Sequence, residues 1–454
     1  MKENGMPQRL HTDRDIEKLI DPGHPVAEVR PDGTKAMPAR KYKTNIPMII
    51  ILAVILVFGF IILYSVSGPD AYGQFQDSSY FLMRQLGFTL AGVGACIIVA
   101  IIPINFFKQK FIMFGAYGLS FALALLTLAL GQGSQQHGAS RWITIGGIQF
   151  QSSELIKVAL VIAFAGYRAM VDDLHRKGKL KAKAPGKQML LDAAVDFIFP
   201  IVAAVAVDLV ILLQPHLSCF LIIGAVVFMC AISSEIPIKS WIVGGLITLT
   251  VGCIALIVVM LAVPSFQEKI TKNYAHVFKR LAIFTADDEA EENEEQTITA
   301  DDTRQVDNAF NALGSGGMWG TGLGNSRSKY NYVSEAQNDY IFSIYIEETG
   351  FMGGVILIAL YMIMFFMCVK VIWNAKGLFA RTVATGCTTL IFIEVLLNLA
   401  VELQVIPSTG VTLPFISYGG TAQIFLLIAY GFILSVSRYA TGPAAEPHKK
   451  KGGA

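Results

Sequence analysis

Residues 46–66 read IPMIIILAVILVFGFIILYSV and contain no Asp, Glu, Lys or Arg. A helix needs about 20 predominantly apolar residues to cross the hydrocarbon core of a bilayer, and this stretch supplies them without interruption. Comparable runs lie near 81–105, 110–131, 153–171, 191–213, 218–234, 239–263, 339–373, 382–403 and 420–437. The pattern predicts an all-α polytopic membrane protein with about ten transmembrane helices. The run at 339–373 exceeds a single crossing, so its first part is expected to project or tilt.

Composition agrees. Of 454 residues, 54% are hydrophobic and 15% charged, against about 25% charged in an ordinary soluble domain; mean hydropathy is +0.54. Too little charge is present to cover a globular surface, which excludes a soluble multidomain enzyme, a disordered chain and a collagen-like fibre. The formal net charge of +2 provides no field for nucleic acid. Six cysteines lie in or beside apolar runs without C-x-x-C spacing, so they read as small buried hydrophobes, and no metal site is assigned to them.

An even number of spans puts both termini on one side. With the N-terminus inside, the inner loops hold Lys108 and Lys110, the cluster Arg176, Lys177, Lys179, Lys181, Lys183 and Lys187, then Lys239, Lys376, Arg381 and Arg438. The opposite loops over 67–80 and 404–419 are nearly free of Lys and Arg, and 132–152 carries only Arg141. The excess of Lys and Arg inside predicts both termini cytoplasmic: a tail over 1–45, a membrane domain over 46–438 and a tail over 439–454. The polar residues before the first apolar run argue against a cleaved signal peptide.

One outer connection, 264–338, is about 75 residues long, and loops of that length are usually functional or disordered. It opens with an amphipathic stretch from Phe266 to Phe284 and continues into an acidic run from Asp287 to Glu295, which reads as a solvated excursion. A glycine-rich segment follows over Gly314–Gly324. Without a preceding strand or a following Walker lysine it is not a nucleotide loop.

Ionisable groups in spans are costly and mark function. Glu154 and Lys157, one turn apart, can form an intrahelical ion pair or a binding site. His216, within Gln214-Pro215-His216, can relay protons, donate into a pocket or pack. Asp208 and Glu394 lie deep in spans and are expected to make interhelical hydrogen bonds. Arg327, Lys329, Glu335, Asp339, Glu347 and Glu348 cluster at the entry of span eight. Pro407-Ser408-Thr409-Gly410 and Pro414-Phe415-Ile416-Ser417-Tyr418-Gly419-Gly420 predict non-helical backbone lining a cavity, because lipid does not tolerate unpaired amides. Both sites face the same side, and together they suggest an outer-leaflet cavity with charge of both signs.

These residues resemble the SEDS family, which includes RodA, FtsW and SpoVE. The likeness covers nearly the whole chain after residue 46. It rests on Arg141-Trp142-Ile143, on Gln151-Ser152-Ser153-Glu154-Leu155-Ile156-Lys157, and on Ala312-Leu313-Gly314-Ser315-Gly316-Gly317 with Gly320 to Lys329. It also rests on Glu335-Ala336 with Asp339-Tyr340-Ile341-Phe342 and Glu347-Glu348-Thr349-Gly350, and on Thr409 through Gly420. The resemblance implies a peptidoglycan glycosyltransferase that polymerises lipid II at the outer face of the bacterial cytoplasmic membrane for shape, division or sporulation. Its implied partners are a class B penicillin-binding protein that crosslinks the glycan and other elongation or division proteins.

A carboxylate base would take the proton of the attacking hydroxyl, and cations would hold the departing pyrophosphate. The family's essential aspartate aligns from the right with Asp301 or Asp302 and from the left with Asp287 or Asp288. Arg141, Glu154, Lys157, His216, Lys329, Glu335, Asp339 and Ser417 are the expected substrate-binding residues. No cofactor is fixed by the sequence; magnesium or manganese could share the phosphate charge. Three positions depart from the family pattern. No proline follows Arg280–Phe284, His216 replaces an aspartate of Q-P-D-L-G-T, and Ser334 replaces the proline before Glu335-Ala336. A lipid II flippase and a non-catalytic scaffold for a penicillin-binding protein are the alternatives.

Overall fold

The computed structural model describes residues 45–130, 132–133, 140–145, 148–182, 184–214, 216–262, 300–330, 336–407 and 410–439. The terminal tails expected over 1–45 and 439–454 therefore lie almost wholly outside the described residues, as do the stretch Phe266–Phe284, the acidic run and Glu335.

The described chain is helical throughout its apolar runs. In order come α1 (Ile46–Phe75), α2 (Tyr80–Ile101), α3 (Lys110–Leu130), α4 (Ser152–Arg176), α5 (Pro185–Ala193), α6 (Phe199–Leu212), α7 (Leu217–Ser233), α8 (Ile238–Ala262), α9 (Ala300–Ser315), α10 (Ile341–Asn374), α11 (Leu378–Glu402) and α12 (Gly420–Tyr439). A π-helical turn, Ala194–Ile198, joins α5 to α6, making one crossing of Pro185–Leu212. Each of the ten predicted runs thus falls on a helix, with α9 an addition within the long connection.

Seven of these stretches are long and apolar enough to cross a membrane, and Leu217–Ser233 and Ile238–Ile254 are shorter apolar helices. The remaining one, α4, has the length at 25 residues but carries Glu154, Lys157 and Arg168, all buried. Charge in a bilayer is tolerated inside a bundle, away from lipid, so α4 sits centrally and packs against α3, α7, α11 and α12. By contrast, α2 and α3 turn much of their apolar surface outward.

Helix–helix association in lipid relies on close van der Waals contact, which small residues allow. Gly92 of α2 lies so near α12 that a Cβ there would stand 2.6 Å from Leu427 Cδ1, and one on Gly431 would stand 2.8 Å from the Cys96 carbonyl oxygen. The two ends of the bundle meet on one side, since Tyr430 donates to the Met48 carbonyl at 2.8 Å and Asn45 to Ser437 at 3.1 Å.

Between α3 and α4 a small antiparallel sheet departs from the all-α expectation. It consists of β1 (Gln132–Gly133), β2 (Ser140–Ile145) and β3 (Ile148–Gln151) in that order. The pairing Trp142↔Gln151 brings Arg141-Trp142 alongside the start of α4. Trp142, Ile143, Thr144, Ile145 and Phe150 are β-formers in a segment too short to span a bilayer.

The long apolar run of α10 is broken. Gly350 adopts φ 71 and ψ −175, dividing a short first segment from the long remainder. A Cβ at Gly350 would lie 2.4 Å from the Gly320 nitrogen and 2.5 Å from the Met318 oxygen. Both the left-handed φ and the contact with backbone forbid a side chain. Gly350→Ala should therefore destabilise the fold, by about 1–3 kcal/mol for the backbone conformation alone, and lower its thermal midpoint in detergent. Gly224→Ala, in α7 with open space around it, should leave the midpoint unchanged or slightly raised. Equal midpoints for the two variants would contradict the break.

Candidate active site

The break at Gly350 leaves backbone groups that the helix no longer pairs, and the glycine-rich segment pairs them. Phe351 and Met352 donate their N–H groups to Gly317 and Met318 at 2.9 and 3.3 Å, while Thr321 and Gly322 donate to the Glu347 and Glu348 carbonyls at 3.0 and 2.9 Å. Residues 317–322 thus replace one missing helical turn, and this is what the glycines serve. Their close approach needs Gly320 as well, at φ 77, with any Cβ there only 2.2 Å from the Glu348 oxygen.

This clasp fixes two buried carboxylates. Glu347 accepts from Ser326 Oγ at 2.5 Å and from the Arg327 and Ser328 N–H groups at 3.0 and 3.3 Å. Glu348 pairs with Lys329 Nζ at 2.8 Å and accepts from Ser65 Oγ at 2.5 Å. Lys329 also donates to the Ser65 carbonyl at 3.2 Å. That carbonyl would ordinarily accept from residue 69 of α1, but Pro69 has no N–H, so the lysine satisfies it. The exposed guanidinium of Arg327 has no ion-pair partner among the described residues.

A second layer ties residues 336–340 to the loop before α12. Gln337 donates to Asp70 Oδ2 at 3.0 Å and accepts from the Tyr418 N–H at 2.9 Å. Asn398 Nδ2 bridges the Asp339 and Val411 carbonyls, each at 2.9 Å. Glu402 caps the start of α10, accepting from Phe342 N at 3.3 Å and from Ser343 N and Oγ at 2.5 and 2.7 Å. An anion is favoured at a helix N-terminus, and the orphan amides there need acceptors. The non-helical backbone of 410–419 is held by polar groups, as its prolines and glycines predicted. Ser417 Oγ accepts from Leu413 N at 2.9 Å, Gln85 donates to the Ser417 carbonyl at 3.1 Å, and Tyr361 donates to that of Pro414 at 2.5 Å. Burial pushes the Tyr418 phenol above its ordinary value, and its ring packs edge-on against Phe81.

At the start of α4, Lys157 lies between Glu154, at 2.8 Å, and Glu394 of α11. Both readings of the Glu154–Lys157 spacing hold in part: the intrahelical pair exists, and a second helix shares it. The hydrogen bond expected of Glu394 is therefore present, whereas Asp208 Oδ1 is buried without one. His216 is buried ahead of α7, at the same end of the bundle as Glu154. Gln151, just before α4, donates its N–H to Thr421 Oγ1 at 3.3 Å, which joins this cluster to the start of α12.

The structure thus gathers Glu154, Lys157, His216, Lys329, Asp339 and Ser417 at one end of the bundle, with the backbone of Arg141 beside them. Asp301 and Asp302 stand in the first turn of α9, whose other half docks through buried Ala309 and Ala312. Asp287, Asp288 and Glu335 lie outside the described residues. The two lysines carry compensated charge, so a phosphate meeting either must compete with a carboxylate. Among the described residues, the sole convergence of three His, Cys or acidic side chains is His175, Asp192 and Asp196, at the opposite end of α4. Sequence reading missed Ser65, Asp70, Gln85, Gln337, Asn398 and Glu402. The polar residues Asn398 and Glu402 inside an apolar run were the legible signal; Ser65 became decipherable only with Pro69 four residues on.

Removing one partner of a buried ion pair costs about 3–5 kcal/mol. Lys157→Met leaves Glu154 and Glu394 facing each other, while Glu394→Gln leaves Lys157 its Glu154 partner. Thermal midpoints in detergent should fall in the order wild type, Glu394→Gln, Lys157→Met; the reverse order would show that the lysine is not held by both.

Comparison with known proteins follows from this geometry. The cell cycle protein family of FtsW, RodA and SpoVE matches residues 46–442. Stage V sporulation protein E of Bacillus subtilis is 29% identical over 405 residues, covering 89% of this chain and 100% of the relative. A probable peptidoglycan glycosyltransferase FtsW from Geobacter sp. strain M18 is 30% identical, covering 87% and 98%. Among solved structures, a chain of a peptidoglycan synthase complex that coordinates polymerization and crosslinking aligns with TM-score 0.61 at 23% identity, over 87% of this chain and 98% of that one. Thermus thermophilus RodA, the rod shape determining protein, aligns with TM-score 0.56 at 22% identity, over 88% and 98%. The structural likenesses concern the fold. This multi-pass membrane chain belongs to the cell cycle protein family of FtsW, RodA and SpoVE.

Proposed function

We propose that this chain is a peptidoglycan glycosyltransferase that polymerises lipid II into glycan strands, with its active site at the outer face of the cytoplasmic membrane and both termini inside. The observation that carries the reading is the family match across residues 46–442, joined to relatives named as peptidoglycan glycosyltransferases over nearly their full length. The anchored polar layer at one end of the bundle is the kind of rigid frame such a transfer needs, because a misplacement of about 1 Å can cost 10²-fold in rate.

In this reading the acceptor hydroxyl loses its proton to a carboxylate as it attacks the anomeric carbon of the donor, whose bond to the lipid pyrophosphate breaks. Asp301 or Asp302, in the first turn of α9, is the preferred base, with Asp287 and Asp288 as alternatives. Arg141 and Arg327 hold the pyrophosphate, and Lys157 and Lys329 contribute through the carboxylates that orient them. Glu154, His216, Asp339 and Ser417 shape the wall, and Glu335 joins them from the same loop. A class B penicillin-binding protein is the partner that would crosslink the strands; the similarity to a synthase complex supports that pairing.

Purified full-length protein, incubated with lipid II with and without a class B partner and with and without magnesium or manganese, should yield glycan strands on a gel. Substituting the true base by Ala should cut the rate by about 10²–10⁴, with membrane levels unchanged. Arg327→Ala should cost on the order of 10²-fold if it stabilises the leaving pyrophosphate. Activity retained in all four aspartate variants and in their combination would refute the base. Absence of strands from folded, partner-bound protein under every condition would favour the scaffold.

A further inference from the structure

The end of α4 opposite the candidate active site carries a second group of chemically capable side chains. The helix is 25 residues long, so its last turn lies about 35 Å from its first. There His175 meets Asp192 of α5 and Asp196 of the π-helical turn, and one ligand atom from each lies within 4.8 Å of the other two. His175 Nε2 is 3.3 Å from Asp196 Oδ1, yet it is buried and makes no hydrogen bond.

Neighbouring side chains hold both carboxylates as metal ligands are held. Arg168, itself buried, donates to Asp196 Oδ1 at 2.7 Å. Gln188 donates to Asp192 Oδ1 at 2.6 Å and to the Leu180 carbonyl at 3.1 Å. Carboxylate ligands in metal sites are typically held by hydrogen bonds of this kind. The π turn is itself informative. It inserts a wide turn between α5 and α6 and brings Asp196 inward, and such turns occur frequently at functional sites. Tyr167 donates to the Val195 carbonyl at 3.0 Å, fixing that turn against α4.

Charge favours a cation despite Arg168. Within the cluster, the two carboxylates outnumber the one guanidinium beside the His175 ring. We propose that His175, Asp192 and Asp196 bind a divalent metal ion of the zinc class, clamping the last turn of α4 to the entry of the next crossing. One imidazole and two carboxylates suit zinc or cobalt, with water completing the shell.

The test uses full-length, tag-free protein in detergent, stripped with chelator and titrated with cobalt(II). Visible absorption should saturate at one cobalt per chain and be bleached by zinc. His175→Ala and Asp192→Asn should each abolish it, whereas His276→Ala should retain it. Asp196→Asn is avoided because it breaks a buried ion pair. Zinc should also raise the thermal midpoint of the wild type and not that of His175→Ala. Absence of saturable cobalt uptake, or uptake and stabilisation unchanged in both variants, would overturn the proposal.

Discussion

The polar end of the bundle depends on one exchange of backbone hydrogen bonds. Where Gly350 interrupts α10, the helix loses its own partners for Glu347, Glu348, Phe351 and Met352, and residues 317–322 return all of them. Each unpaired amide or carbonyl at membrane depth would cost several kcal/mol, so the broken helix and the glycine-rich segment cannot exist separately. The reward is positional. The carboxylates of Glu347 and Glu348, just before the break, then reach the loop that carries Arg327 and Lys329.

The same logic of replaced partners recurs at Ser65. Pro69 deletes a donor from α1, and Lys329 supplies another, so a single ammonium bridges α1 and α10 while neutralising Glu348. Lys157 does the equivalent between α4 and α11. These lysines bind helices together in the region where substrate-facing cations were expected. Arg327, by contrast, is exposed without a carboxylate partner among the described residues.

How much of this was legible in the sequence follows from the range of each interaction. Span positions depend on local hydropathy and were readable, as was the excess length of the run at 339–373. The break itself was not located, because Thr349-Gly350 looks like any glycine in a membrane helix until its partner loop, some thirty residues earlier, is known. The polar character of 407–420 was readable from Pro and Gly, but its anchors Gln85 and Asn398 come from distant helices. The sheet over 132–151 was not legible, because short strands between membrane helices give no long-range periodicity beside the hydropathy of the spans.

The departure at His216 also gains a physical reading. Lys157 is flanked by two carboxylates, which leaves that cluster one negative charge in surplus within a buried region. Cys219, one turn after His216, lies in the field of Lys157, Glu154 and Asp208. A carboxylate at position 216, as in the family pattern, would add another acidic group to a buried region that already holds Glu154, Glu394 and Asp208. An imidazole offers a donor and an acceptor without that charge, and desolvating a further anion is the costlier choice.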